Sequence, residues 1–279
     1  MVRIISDTST LYSTTQAREA GFDVSALSVH IAGKSYREFD EISSEEFVSI
    51  IQQGHMPTSS QPAIGEVIEL NENNPDDEIL NITMADGLSG TYKSAVGALE
   101  MCSKPDHIKV INSRTLCGPH RYIVEEALRL AKEGAGMEKI LERCRYLIDS
   151  AKSFLLPADF GYQRRGGRLS PLVSYVGQAM KLAPVLTQTE DSLQLTIAGV
   201  RRSFTQAVKF VGNAFVNYKA GKGWRVYVSH AGVPEMAEQA LRMMKEALPT
   251  ADHFEILPLS PAFITQGGPG CVAIQVVRS

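Results

Sequence analysis

The chain has 279 residues, 44% of them apolar and 21% charged, with a formal net charge of −3 at pH 7. That length exceeds an ordinary single domain and predicts two, each with enough apolar residues to bury a core. The charge excludes a general electrostatic pull toward nucleic acid or anionic lipid, and no apolar run approaches the ~20 residues of a bilayer span, so any lipid handled by the chain must be enclosed within it.

The opening residues MVRIISDTST carry no long apolar core behind a basic flank, so no signal peptide is expected. Cys102, Cys117, Cys144 and Cys271 lie in no C-x-x-C spacing. Together these features predict a cytoplasmic protein with reduced thiols and no stable membrane insertion.

In chain order, residues 2–6 form a short apolar run punctuated by Asp7-Thr8-Ser9. A polar helix is expected over 14–20, ended by Gly21, and a strand over 24–31. Ser43 with Glu46 has the spacing of a capping box and opens a helix over 45–53. Thr58-Ser59-Ser60-Gln61-Pro62 precedes a helix over 63–70, with Pro62 suited to the first turn. A strand over 79–84, a helix over 90–102, a strand over 108–111 and helices over 121–132 and 137–150 follow. This alternation predicts an N-terminal α/β domain, residues 1–150, with a mostly parallel sheet sandwiched by helices.

The rhythm changes after residue 150. A strand over 154–156 leads into the glycine-rich loop Gly166-Gly167-Arg168-Leu169. Strand-like residues 184–188 and 193–200 flank Thr189-Glu190-Asp191-Ser192 and read as a β-hairpin. A helix over 204–218, a strand over 225–229, a helix over 234–248 and strands over 254–257 and 271–277 complete a C-terminal α+β domain, residues 151–279. A ligand is expected between or beside the two domains.

Enzyme motifs fall short. Gly87-Leu88-Ser89-Gly90-Thr91 departs from the GxSxG nucleophile elbow at its fifth position. There is no GxxxxGK[ST] loop, and Gly268-Pro269-Gly270-Cys271-Val272-Ala273 fits GxGxx[GA] but leaves no room for the helix and second strand a dinucleotide site needs. Without HExxH or another histidine cluster, no metal or cofactor is expected.

Two segments do suggest anion capture: Thr58-Ser59-Ser60-Gln61-Pro62 and Ser89-Gly90-Thr91 each set hydroxyls at a helix start. Such starts offer unpaired N–H groups and partial positive charge to a carboxylate or phosphate. The same residues also serve as plain N-caps. Arg168, Arg201 and Arg202 are candidate charge partners.

At these residues the chain resembles the DegV family. The resemblance covers nearly the whole length, through Ser6-Asp7-Thr8-Ser9, Ser59-Ser60-Gln61-Pro62, Leu88-Ser89-Gly90-Thr91-Tyr92, Gly166-Gly167-Arg168-Leu169-Ser170, Pro184, Arg202 and Gly268-Pro269-Gly270. It implies a two-domain protein that encloses a long-chain fatty acid and does no chemistry on it. It further implies the binding subunit of a fatty acid kinase, whose ATP-using partner phosphorylates the presented carboxylate and feeds phospholipid synthesis. Carried over, Ser59, Ser60, Ser89, Gly90 and Gln266 hold the head group, Arg202 is the cation of the second domain, and Arg168 and Thr91 support. Phe154, Leu155, Phe160, Leu169, Val173, Met180 and Phe263 are candidates for the tunnel wall.

The chain departs from the family pattern at Ser59, where threonine is usual, at Asn112 for aspartate, at Ala183 for lysine, and at Gln266 for histidine. An amide at 266 donates a hydrogen bond but carries no charge. The alternative is a stand-alone serine hydrolase or transferase using Ser89, which a base beside that hydroxyl would favour.

Overall fold

The computed structural model describes residues 1–73, 76–170 and 182–279; Val173 and Met180 lie outside them. The first sheet starts with β1 (Val2–Asp7), a buried run closed by Asp7, whose carboxylate accepts from Ser9 N–H. Helix α1 (Thr14–Ala20) has a capping box between Ser13 and Gln16 and ends at Gly21. The strand expected over 24–31 is two strands, β2 (Asp23–Ser25) and β3 (Ser28–Ile31), in different sheets. Side chains take up the backbone between them: Ala26 N–H donates to Glu66 Oε1 and Leu27 N–H to Thr8 Oγ1, which releases the chain from the first ladder.

Next come β4 (Lys34–Arg37), α2 (Ser44–Gln52) with Ser43 accepting from Glu46 N–H, β5 (Thr58–Ser60) and α3 (Ile64–Glu72). Pro62 precedes the N-cap Ala63, so it lies outside the first turn of α3 where the sequence set it. Then follow β6 (Glu78–Thr83), α4 (Thr91–Leu99), β7 (Ile108–Asn112), α5 (Cys117–Lys132) and α6 (Met137–Ser150). Helix α5 starts earlier than expected because Pro119 falls in its first turn, where a missing N–H breaks no bond.

The later part contains β8 (Lys152–Leu156), α7 (Phe160–Gly166), β9 (Ala183–Gln188), β10 (Leu195–Arg201), α8 (Phe204–Asn217), β11 (Trp224–His230), α9 (Pro234–Ala247), β12 (His253–Pro258), α10 (Pro261–Gly267) and β13 (Val272–Arg278). Among the described residues the first sheet has order β2-β1-β6-β7 with every pair parallel. The second has order β10-β9-β8-β13-β11-β12, antiparallel except for β11–β12, and includes the expected hairpin β9–β10. A small antiparallel sheet, β4-β3-β5, stands beside the first. The fold is thus mixed α/β, with a parallel sheet and a second mixed sheet.

Helix α5 joins the two large sheets, packing on β1 and on β11 and β13. Gly118 makes this possible: a Cβ there would collide with the ring of Tyr227, which is itself buried. Behind the joint His120 is paired on both ring nitrogens. The neutral ring of His120, its pKa pulled down by burial, sits between the hydroxyls of Ser6 (2.9 Å) and Ser113 (2.7 Å).

Glu38 is fully buried; its carboxylate accepts from Thr8 Oγ1 and from Ala262 N–H at the start of α10 (2.9 Å). Burial raises its pKa to about 7 despite those hydrogen bonds. The folded state therefore holds a proton that the unfolded chain releases from about pH 4.5 upward. Stability from this group is full below that point and is lost as pH rises through about 7. His120 acts in the opposite sense, losing stability as pH falls. The difference between Glu38→Gln and the parent isolates Glu38. By urea unfolding, the variant should gain ~1–3 kcal/mol on the parent between pH 5 and pH 8. A constant difference across that range would refute the buried-acid account.

Candidate ligand-binding site

A cavity of about 500 Å³ lies where the carboxyl ends of β2, β6 and β7 meet β8, β9, β10 and β13 of the second sheet. This is where an open α/β sheet places its ligands. Its walls are largely apolar: Leu27, Met84, Leu88, Leu116, Phe154, Leu155, Leu186, Leu195, Leu259, Ala262, Phe263 and Ala273. Of the expected wall residues, Phe154, Leu155 and Phe263 line it, whereas Phe160 and Leu169 pack into a cluster with Leu186 behind it.

One region of the wall is polar. Strand β5 turns successive side chains to opposite faces. Ser59 faces α10 and its Oγ accepts from Gln266 Nε2 at 3.0 Å, leaving the serine hydrogen free to donate. Ser60 borders the cavity too, but its hydroxyl is engaged elsewhere: Oγ lies 2.9 Å from His30 Nε2, and His30 Nδ1 lies 2.7 Å from Ser35 Oγ.

The loop from β6 to α4 brings Ser89 and Gly90 to the same region. Gly87 has φ +82°, and a Cβ there would strike the backbone of Leu193, so the β9–β10 turn rests directly on this loop. Gly90 packs as closely on the side-chain oxygen of Gln61. Ser89 Oγ lies 2.8 Å from Thr91 Oγ1 and accepts from Thr91 N–H at 3.3 Å. Gly90 is the N-cap of α4, so its N–H stands outside the helical ladder. Among the described residues no histidine or carboxylate is hydrogen-bonded to Ser89, so the base that a nucleophile requires is not supplied there.

Arg168 is the one charged side chain among the described residues of the wall. It is half-buried and donates to the carbonyls of Leu88 (3.3 Å) and Gly166. It makes no salt bridge with any described acid, and burial pulls its pKa below the usual arginine value. A guanidinium has five N–H donors, so most remain for a ligand. A cation with no acidic partner among the described residues, beside the hydroxyls of Ser59 and Ser89 at the edge of an apolar space, is complementary to an anion bearing a long apolar tail.

Arg202 does not border this cavity. It is exposed, its N–H donates to Gln206 Oε1, and it is no part of the wall. Leu195, at the start of β10, lines the cavity; Arg202 follows the other end of that strand, roughly 20 Å away at ~3.3 Å per residue.

The sequence also left glutamines unassigned. Gln163 and Gln275 line the cavity and are buried, and Gln163 Nε2 and Gln266 Oε1 have no partner among the described residues. The alternation of Cys271, just before β13, with Ala273 and Gln275 on it is the signal that places Gln275 on the cavity face.

A family model described as "Uncharacterised protein, DegV family" matches residues 1–279. The chain belongs to the DegV family. A DegV domain-containing protein of Staphylococcus aureus (strain MRSA252) is 29% identical over 278 residues, covering 99% of this DegV chain and 98% of the relative. Among solved structures, a DegV family protein from Thermus thermophilus described for its fatty acid binding superposes with a TM-score of 0.90 at 22% identity, over 100% of this chain and 99% of its own. A DegV family protein from Eubacterium eligens loaded with heptadecanoic acid gives 0.85 at 18% identity, over 100% of both chains. At these identities the structural likeness establishes that this DegV chain shares their fold. Among its described residues no helix is long and apolar enough to cross a membrane.

Proposed function

We propose that this chain encloses a long-chain fatty acid in the cavity and presents its carboxylate to a separate ATP-dependent kinase subunit, which forms the acyl phosphate. The observation that carries the binding half is Arg168, a cation with no acidic partner among the described residues, beside donor hydroxyls at the margin of a large apolar cavity. The acyl chain supplies most of the affinity, at ~0.8 kcal/mol per buried CH₂. The head-group contacts set orientation and preference for the charged form. The kinase half draws on the family resemblance, and Gln266, which cannot exchange a proton, is the residue where this chain departs from it.

Native mass spectrometry of protein purified from cells tests the binding half: near-stoichiometric acyl chain is expected. Lipid-free, folded protein that also refuses added fatty acid would end the proposal. Incubating the loaded protein with a kinase subunit and ATP tests the presentation half, read as acyl phosphate formed.

Ser89 is assigned as a head-group donor. Ser89→Ala should weaken fatty acid binding by ~1–3 kcal/mol and leave a fatty alcohol of equal length nearly unchanged. Calorimetry with both ligands reads the difference. The hydrolase alternative requires instead a covalent adduct at Ser89 with serine-directed phosphonates; the absence of a base at Ser89 among the described residues favours binding.

A further inference from the structure

Away from the residues assigned to the carboxylate, the wall of the acyl cavity carries a second polar pair. Gln275 on β13 stands opposite Ser153 on β8, and both border the cavity. The neighbouring row on the same face is apolar: Ala273 opposite Leu155, and Leu155 opposite Leu186 on β9. Cys271 packs against Gly267, the residue after Gln266. Gln275 lies four residues further along the chain, roughly 13 Å away at ~3.3 Å per residue.

The hydrogen bonds of this pair are half complete. Gln275 Nε2 donates to Leu116 O at 3.0 Å and to Ser153 Oγ at 2.8 Å, which uses both amide hydrogens. Leu116 O can only accept, so the nitrogen is fixed on that side of the amide and the oxygen on the other. Gln275 is fully buried, and its Oε1 has no partner among the described residues. Ser153 Oγ accepts from Gln275, which leaves its own hydrogen to donate. Packing within the sheet accounts for the nitrogen and leaves the oxygen unexplained, where a buried acceptor is ordinarily paired.

The wall therefore offers one acceptor and one donor side by side. A hydroxyl completes both, since it donates one hydrogen bond and accepts another; a carbonyl or ether oxygen would serve Ser153 alone, and a methylene neither. We infer that the cavity takes a fatty acid hydroxylated part-way along its chain, the hydroxyl donating to Gln275 Oε1 and accepting from Ser153. The inference rests on the fatty-acid reading above and names the class of acid. With the carboxylate at Ser59, Arg168 and Gln266, the chain crosses the apolar row of Leu186, Leu155 and Ala273 before it reaches the pair. The hydroxyl thus falls at mid-chain and not beside the carboxylate. A plain chain leaves both protein groups unpaired, and a site that pairs a ligand hydroxyl discriminates against the analogue lacking it.

The test compares three ligands by calorimetry on delipidated protein: stearic acid, a hydroxystearic acid with its hydroxyl at mid-chain, and the isomer with its hydroxyl next to the carboxylate. The parent should bind the mid-chain hydroxy acid about tenfold more tightly than stearic acid. A purely apolar wall gives the opposite sign, because the hydroxyl leaves water and finds no partner. The isomer hydroxylated next to the carboxylate should show no gain over stearic acid. Ser153→Ala and Gln275→Met are then read as the ratio of the two affinities within each variant, so that any change in packing or stability cancels. Ser153→Ala should cut the preference to about threefold or less, and Gln275→Met should reverse it. Should the methionine variant fail to fold, the parent and Ser153→Ala carry the test. Equal or weaker binding of the mid-chain hydroxy acid by the parent, the same gain for both isomers, or a preference that survives the substitutions would overturn the inference while leaving fatty acid binding intact. A parent that binds none of the three acids would instead sink the fatty-acid reading.

Discussion

Gly118→Val should destabilise the protein by about 3 kcal/mol or more, the largest effect of any single substitution considered for this fold. Gly118 is fully buried in the first turn of α5, and even a methyl group there would drive into the ring of Tyr227 on β11. Tyr227 is 1% exposed and has no space to retreat into. Either α5 lifts from the second sheet or the ring leaves its rotamer, and both open the core that spans the two large sheets. Leu116 and Cys117, immediately before Gly118, are part of the cavity wall. Fatty acid affinity should therefore fall together with stability. Urea denaturation gives the first number and ligand titration of the still-folded fraction the second. Gly118→Ala should fall between parent and valine. If both variants keep parental stability, the close approach of α5 to β11 is not what joins the two sheets.

Arg168→Glu should abolish fatty acid binding by more than about a hundredfold, and Arg168→Ala should weaken it by about ten- to a hundredfold. In the alanine variant the carboxylate loses a charge-assisted donor at the edge of a low-dielectric cavity; in the glutamate variant it meets a like charge. A fatty alcohol should bind both variants nearly as well as it binds the parent. The lipid-free alanine variant should be within about 1 kcal/mol of the parent in stability, because a half-buried cation with no acidic partner among the described residues contributes little to folding. That pairing of results separates a ligand-binding arginine from a structural one. Displacement of a fluorescent fatty acid at fixed ionic strength measures the first, thermal unfolding of delipidated protein the second. Equal losses for acid and alcohol would show that Arg168 acts on the shape of the site and not on the charge of the ligand.

Much of the architecture was legible along the chain. Helices α1 and α6, the parallel strands β1, β6 and β7 and the hairpin β9–β10 follow from periodicity and punctuation, and their positions agree with expectation to within a few residues. The elements that were missed, β4, β5, α7 and α10, are three to seven residues long. Nothing so short completes enough periods to stand out from a loop. The join of β2 to β3 was misread because the apolar pattern runs on through Ala26 and Leu27, and only the side chains of Glu66 and Thr8, distant in sequence, take those backbone groups out of the ladder.

What the sequence by itself determined is the family, the α/β character, and the two hydroxyl-bearing loops around Ser59 and Ser89. Each of these depends on local residue order. Only the tertiary structure decided which groups meet. It set Arg168 in the cavity wall and Arg202 outside it, turned the Ser60 hydroxyl to His30 while Ser59 met Gln266, and placed Gln163 and Gln275 in the wall. The physical reason is that a side chain's partners depend on strand register and on the packing of segments far apart in the chain. One residue of register reverses the face of Ser59 and Ser60, and one strand length separates an arginine that lines the cavity from one in solvent.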